Sequence, residues 1–494
     1  MKQLFFSFLL LLLIQAEAQL STEKRIEFDL RNGYSGETIY ESTKGYFVLE
    51  SQADDDVDGQ KEIKYDLYSG DLELEKTETV LVPRGMRFSE LYYNDDFVYN
   101  MYLNKKGEFV ITGVQMNTLD ISKTTGVMPP KAFPRSMKVL GDQAWFLASV
   151  KKAPVIYRVD LGSGKGTAIP INIGAFTSKK LSSENYQILE KSNEILLFAR
   201  ASLSKTVSEL HMIRISENDN VEKAIKISGA GDNSIVSISG CRVNDSKIII
   251  TGTYAKKGLM SEGLFFGEIE DGAINYIRYY NFLDLKDFLS YLPEKKQEKI
   301  EKKKAKKEAQ GKEMSLDYWI ADHDVIVLED GYLFLGEAYY PTYRTETRTT
   351  VGANGAVSTY TVTVFDGYQY THATLGKFSK QGELMWDVCF ELNPGYKPFS
   401  VNRFIAISEQ TASQISMVYT SRNEIVSKTV DFDGNILSDE KWDFIETGDE
   451  SEKTKRTFSN VDYWYGNYFL AYGSQVVKNG KEKRKVYFVN KIGF

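Results

Sequence analysis

His323 to Tyr340 reads HDVIVLEDGYLFLGEAYY: an apolar run, the tight turn Glu329-Asp330-Gly331, and a second apolar run. Two short aliphatic and aromatic runs joined across a Gly-containing turn specify a β-hairpin. The same hairpin recurs along the chain. The apolar runs that follow each turn begin at Tyr46, Phe97, Trp145, Ile195, Ile248, Tyr332, Ile415 and Tyr468, at intervals of 51, 48, 50, 53, 84, 83 and 53 residues. A partner run precedes every turn: GETIYES, SELYYN, SMKVLG, NYQILEK, SISGCRVN, DVIVLE, FIAISEQ and NVDYWY.

The two long intervals each contain an insertion. Leu283 to Met314 is a charged helical segment of 32 residues, and removing it brings its interval to 52. The other holds a Thr-rich hairpin, about Thr342 to Phe365, whose alternating Thr and Val flank Asn354-Gly355. Most units continue into a third and fourth strand across a polar turn, as in HATLGKFSKQGELMWDV and IVSKTVDFDGNILSDEKW. Four short antiparallel strands at a period near 50 are what the blades of a β-propeller require; solenoid repeats are shorter and mostly helical. The expected fold is therefore all-β, a single propeller of eight blades, or seven if one unit is incomplete, with one inserted helix. The rival is two all-β domains of half the chain each, but no Pro/Ser/Gly-rich linker divides them. Lys24 to Leu30, KRIEFDL, is an orphan strand and the last unit supplies only three, so the two ends can complete one blade and remove an open sheet edge.

Residues 1–18 read as a cleavable signal peptide: Lys2, an apolar run from Leu4 to Ile14 broken only by Ser7, then Ala16-Glu17-Ala18. The run is shorter than the roughly 20 apolar residues a membrane-spanning helix needs. Residues 19–494 form the expected propeller domain, with no further transmembrane segment, exported to the periplasm or exterior of a Gram-negative bacterium, and a monomer. A net charge of −7 and pI of 5.4 exclude a general nucleic-acid binder. Cys241 and Cys389, in the apolar runs SISGCRV and DVCFEL, read as small buried hydrophobes rather than a disulfide between blades.

In the insertion, Glu298 with Lys302 and Glu308 with Lys312 are i,i+4 pairs with acid before base. Its second half has no apolar face and reads as a solvated projection; Leu283, Leu285, Phe288, Leu289 and Leu292 would pack on the rim.

No catalytic signature is present: there is no G-x-S-x-G and no H-E-x-x-H. Gly162 to Thr167 lacks the Ser or Thr that must follow the lysine of a phosphate loop, and Asp322-His323-Asp324 has no second histidine at ligand spacing. Asp54, Asp56, Asp58 and Glu62 occupy positions 1, 3, 5 and 9 of a loop with Gly59 at position 6, the pattern by which alternate side chains converge on a structural calcium ion. Tyr65 at position 12 and strand flanks exclude an EF-hand. Over these nine residues the loop resembles the calcium-binding hairpin loops of some propellers, including those of integrin α-subunits.

Aromatic residues gather where blade rims are expected: Tyr318-Trp319, Tyr339-Tyr340 with Tyr343, Tyr368 and Tyr370, and Tyr463-Trp464-Tyr465. Strand alternation makes about half of them core. Tyr339, Tyr340, Tyr343, Arg344 and Arg348, at the base of the Thr-rich hairpin, are the candidate ligand-binding residues. A leader followed by Tyr- and Phe-rich strands with turns such as FDGNI and FSKQGEL is similar to uncharacterised exported propeller proteins of the Bacteroidota, a resemblance that implies no catalytic residues. The expected function is a non-enzymatic propeller that binds a protein or glycan partner through a rim. The alternatives are a polysaccharide hydrolase or lyase with channel carboxylates and a structural envelope component.

Overall fold

Alternation within single strands explains how the sheets stack. In Gln143–Val150, Trp145 and Leu147 enter one apolar cluster while Ala144, Phe146 and Ala148 enter another. In Glu194–Ser202, Ile195, Leu197 and Ala199 share the cluster of Trp145, whereas Leu196 and Phe198 face a third. Successive side chains point to opposite faces, and both faces of each sheet are covered by apolar neighbours.

The computed structural model describes residues 21–30, 34–189, 192–204, 208–216, 221–227, 233–351, 356–408, 414–443, 447 and 451–493. The leader at residues 1–18 and the Asn354-Gly355 turn lie outside the described residues. Eight antiparallel sheets follow one another along the chain, each with its strands hydrogen-bonded in sequence order. Blade 1 spans 34–83, blade 2 87–127, blade 3 135–170, blade 4 181–227, blade 5 234–281, blade 6 319–391 and blade 7 406–443. Blade 8, 452–493, takes Ser21–Asp29 as its fourth strand, paired from Ser21↔Gly493 to Asp29↔Val486.

An apolar cluster fills every junction, including the one that closes the ring. Val461, Phe469 and Phe488 of blade 8 pack on Ala406, Val418 and Ile425 of blade 7. Trp464 and Leu470 of blade 8 pack on Ile39, Phe47 and Leu49 of blade 1. Trp464 is fully buried, lies edge-on to Phe47 at 5.9 Å, and donates its indole N–H to the Tyr46 carbonyl at 3.0 Å. The chain is thus a single eight-bladed propeller, and the seven-blade and two-domain alternatives fall.

First strands of adjacent blades meet around the axis, as blade 2 meets blade 3, blade 4 meets blade 5 and blade 8 meets blades 7 and 1. Antiparallel order then puts the turns between first and second strands on a lower face. The turns between second and third strands and the crossings between blades form the upper face. The acidic tip 54–59, the insertion, the long hairpin and the crossing 392–405 all emerge from the upper face.

Two local expectations are corrected. The first strand of blade 6 lies mainly at Trp319–Asp322 rather than in DVIVLE, of which only Ile326–Val327 pairs. The chain bulges between them, and the imidazole of His323 turns to Glu337 at 2.8 Å. The helix occupies Glu294–Glu308 rather than the whole of Leu283–Met314. Pro293 at its N-terminus disfavours helix in the residue before it, and the preceding stretch gains more by docking. Phe282 and Phe288 stack at 4.4 Å, and the Asp387 carboxylate accepts the backbone N–H groups of Lys286 and Asp287 at 2.8 Å each. The helix itself buries no side chain; Lys302 pairs with Glu298 at 3.0 Å, and Lys304 anchors it to the Leu283 carbonyl at 2.8 Å. Blade 6 carries the ribbon Gly331–Val351 and Val357–Ser379, in register to its outer end at Val351↔Val357, with irregularities at Ala338/Tyr339 and Thr342/Tyr343.

Candidate functional site

At the base of the ribbon, rings from distant parts of the chain meet. Tyr339 lies 5.2 Å from Tyr368 and 5.5 Å from Tyr370; Tyr368 meets Phe365 at 5.0 Å. Phe365 in turn contacts Tyr343 and Phe399, each at 5.9 Å. In the other direction Tyr370 meets Phe404 at 4.8 Å, Phe404 meets Tyr396 at 5.5 Å, and Tyr396 meets Phe458 of blade 8 at 6.2 Å. These contacts are edge-to-face or tilted, the arrangements the ring quadrupoles favour. The result is one aromatic track across the upper face from blade 6 over the crossing 392–405 to blade 8, buried or half-buried in its middle and open at its ends. Tyr343 is 62 % exposed, Phe399 73 % and Phe458 52 %.

The track is held from below. Glu337, fully buried in the second strand of blade 6, accepts the backbone N–H of Phe404 on both oxygens at 2.9 Å and that of Ile405 at 3.0 Å, besides facing His323. The Tyr370 hydroxyl accepts the Asn402 N–H at 2.8 Å. The crossing 392–405, which supplies Tyr396, Phe399 and Phe404, is therefore fixed by a buried carboxylate and a buried phenol.

Of the residues expected to bind ligand, Tyr339 and Tyr343 join the track. Tyr340 is 47 % exposed on the same strand. Arg344 is held by Glu346 at 2.7 Å and Asp366 at 3.2 Å, and Arg348 faces Glu346 at 3.4 Å, so half-buried carboxylates already partner both exposed guanidinium groups. Phe365, Tyr396, Phe399, Phe404 and Phe458 escape a reading of local pattern; the segment Pro394-Gly395-Tyr396-Lys397-Pro398-Phe399, aromatics between chain-breaking residues, is the signal that could have found some of them. Trp464 belongs to the core.

At the axis, where blades 8, 1 and 2 meet, Tyr93 donates to Glu41 at 2.7 Å and Tyr472 donates to Asp462 at 2.5 Å. Enclosure holds Glu41 well above the usual carboxylate range, with the neighbouring Asp462 a second cause, and it holds Asp462 above that range against the lowering effect of the Tyr472 hydrogen bond. One oxygen of Glu41 is buried without a partner.

The acidic tip is a two-residue hairpin turn. Asp58 and Gly59 take φ of 50° and 74°, and Val57 and Gln60 exchange backbone hydrogen bonds of 2.8 and 2.9 Å. Asp54 and Asp55 are exposed, and Asp56 turns to Arg84 at 2.9 Å. Among the described residues no three His, Cys, Asp or Glu side chains converge as a metal site. The 162–167 stretch is a turn closed by Asp160, whose carboxylate accepts the Ser163 N–H and hydroxyl at 2.7 Å each and is lowered to about 2 by those bonds. Cys241 and Cys389 are both free thiols, pushed up to about 12 and about 11 by burial.

No family model matches the chain, and no curated protein matches it. Among solved structures it is similar to dihydro-heme d1 dehydrogenase NirN in complex with DHE, at TM-score 0.44 and 10 % identity over 95 % of this chain and 78 % of that one. It is also similar to the β-propeller domain of the Trilobed protease from Pyrococcus furiosus, at TM-score 0.36 and 10 % identity over 81 % of this chain and 97 % of that one. A third similarity is to a prolyl endopeptidase, at TM-score 0.40 and 10 % identity over 91 % of this chain and 55 % of that one. None of the three carries an argument about activity.

Proposed function

We propose that this propeller is an exported, non-enzymatic binding module that grips a protein or glycan partner along the aromatic track of its upper rim. The observation that carries the reading is the track itself: exposed rings at Tyr343, Phe399 and Phe458, joined by half-buried ones and fixed by Glu337. Exposed rings joined from blade 6 across the crossing 392–405 to blade 8 form an apolar patch of the kind that marks interaction sites on monomeric proteins. Export rests on residues 1–18 alone. The test is binding to the purified domain of a panel of oligosaccharides and extended peptides, compared with the double variant Tyr343→Ala/Phe399→Ala. The variant should lose most of the binding; equal binding by both proteins overturns the reading.

A hydrolase or lyase using channel carboxylates is the second reading, favoured by Glu41 and Asp462. Each accepts a tyrosine hydroxyl on one oxygen, and both carboxyl groups are enclosed, which works against access by a substrate. A structural envelope component would bind neither sugars nor peptides.

Calcium at Asp54, Asp56, Asp58 and Glu62 would require Asp56 to leave Arg84. Millimolar calcium should then raise the melting temperature of the wild type and not that of Asp56→Ala. A wild type indifferent to calcium makes the tip a turn only.

A further inference from the structure

The track ends at a cleft. Between the first strand of blade 1 and the first two strands of blade 8 lies a pocket of 530 Å³, with Tyr396 and Phe458 at its mouth and Asn460, Ser474, Tyr487 and Glu37 among its walls. We infer that this cleft is a subsite for neutral sugar of a glycan partner, an inference that rests on the rim-binding reading and narrows it.

Three observations point the same way. The first is shape and size. The volume falls within the roughly 300–1,000 Å³ of small-molecule sites. Gly36 stands in its wall at φ +72° with nothing within 4 Å of where a Cβ would project, so the backbone there leaves the cleft open.

The second is the chemistry of the walls. Phe458, 52 % exposed and edge-on to Tyr396, offers a flat apolar face beside the amide of Asn460 and the hydroxyl of Ser474. A sugar ring has the complementary pattern, an apolar C–H face and a polar edge of hydroxyl groups. Aromatic platforms flanked by neutral donors and acceptors satisfy both.

The third is charge. Among the described residues, no Lys, Arg or His lines the cleft, and the one acid lining it is Glu37, which partial burial and, secondarily, Asp54 push upward. Behind Tyr472, another wall residue, lie Asp462 and then Glu41. Phosphate, sulfate or uronate groups would meet acids with no cation among these lining residues to neutralise them, so the cleft disfavours anionic ligands. A flexible peptide chain would also have to be ordered on binding, whereas a pyranose ring is already rigid.

The experiment is titration calorimetry of the full mature chain with cello-, xylo-, manno- and laminari-hexaose. Hexagalacturonate is the anionic counterpart, and hexalysine is the cationic peptide control. Phe458→Ala and Asn460→Ala alter exposed positions that leave the junction core intact. The expected result is that at least one neutral hexaose binds, that Kd rises about tenfold in each variant, and that hexagalacturonate does not bind. A neutral hexaose whose binding falls with Tyr343→Ala/Phe399→Ala but is untouched by Phe458→Ala and Asn460→Ala overturns the cleft and leaves the rim reading standing. Preference for hexagalacturonate overturns the charge argument and with it the inference. Binding of hexalysine alone, dependent on Tyr343 and Phe399, overturns the inference in favour of a protein partner. Binding of none of them removes both the inference and the reading beneath it.

Discussion

Replacing Glu337 tests whether the aromatic track is fixed by the buried carboxylate beneath it. The side chain is 0 % exposed, and its two oxygens accept three contacts of 2.9, 2.9 and 3.0 Å from the N–H groups of Phe404 and Ile405 and a fourth of 2.8 Å from His323. In Glu337→Ala two backbone donors lose their acceptor at a buried site, each costing about 1–3 kcal/mol, and the truncated methylenes leave a void. The two donors alone sum to about 2–6 kcal/mol, and the void adds to that. Glu337→Gln keeps the volume and one acceptor oxygen but turns an amide N–H₂ toward the Phe404 N–H, so it should cost about 1–2 kcal/mol. Urea unfolding gives both values from the shift in midpoint at constant slope. Because Phe404 and Tyr396 ride on the released crossing, Glu337→Gln should also weaken rim binding while leaving the fold cooperative. A Glu337→Ala variant within 1 kcal/mol of wild type would refute the claim that this carboxylate fixes the crossing.

The remaining predictions concern the axis and the insertion. Glu41 and Asp462 are held above the ordinary carboxylate range, so the folded chain keeps protons that the unfolded chain releases. Stability from this pair is therefore full below the ordinary carboxyl range and declines as pH rises through it toward the raised values. Thermal melts of Glu41→Gln/Asp462→Asn should show a shallower decline over that window than the wild type, and parallel curves would contradict the assignment. Phe288 is fully buried, stacked on Phe282 and edge-on to His372 at 4.8 Å. Phe288→Ala should cost about 3–5 kcal/mol and expose the 283–292 stretch to limited proteolysis; unchanged proteolysis would mean the stretch is not anchored by this ring.

The blades were legible because each second strand starts beside a tight turn and is apolar enough to be covered on both faces. Trp145, Ile195, Ile248 and Ile415 all proved to lie in second strands facing a neighbouring blade. Closure was legible for the same reason: KRIEFDL had no partner near it, and the last unit lacked one strand. What escaped was whatever depends on where strands end or which distant segments touch. The first strand of blade 6 was misplaced because the bulge at His323 answers to Glu337, fourteen residues on, and not to local alternation. The helix is shorter than the charged segment suggests because docking of Phe282, Leu285 and Phe288 outweighs the helix propensity of residues before Pro293. The track was half seen: Tyr339 and Tyr343 stand in a conspicuous ribbon, whereas Phe399, Phe404 and Phe458 reach it from an irregular crossing and another blade. Glu41 and Asp462 lie more than 400 residues apart and meet only through ring closure.

The central claim, that the upper-face aromatic track is what this propeller uses to bind, is tested most directly by hydroxyl-radical footprinting of the tyrosines and phenylalanines with and without whichever hexaose or peptide binds. The account predicts protection at Tyr343, Phe399 and Phe458, with the exposed ring of Phe133 on the opposite side of the ring of blades unaffected. Protection elsewhere with the three track residues as reactive as before would contradict it.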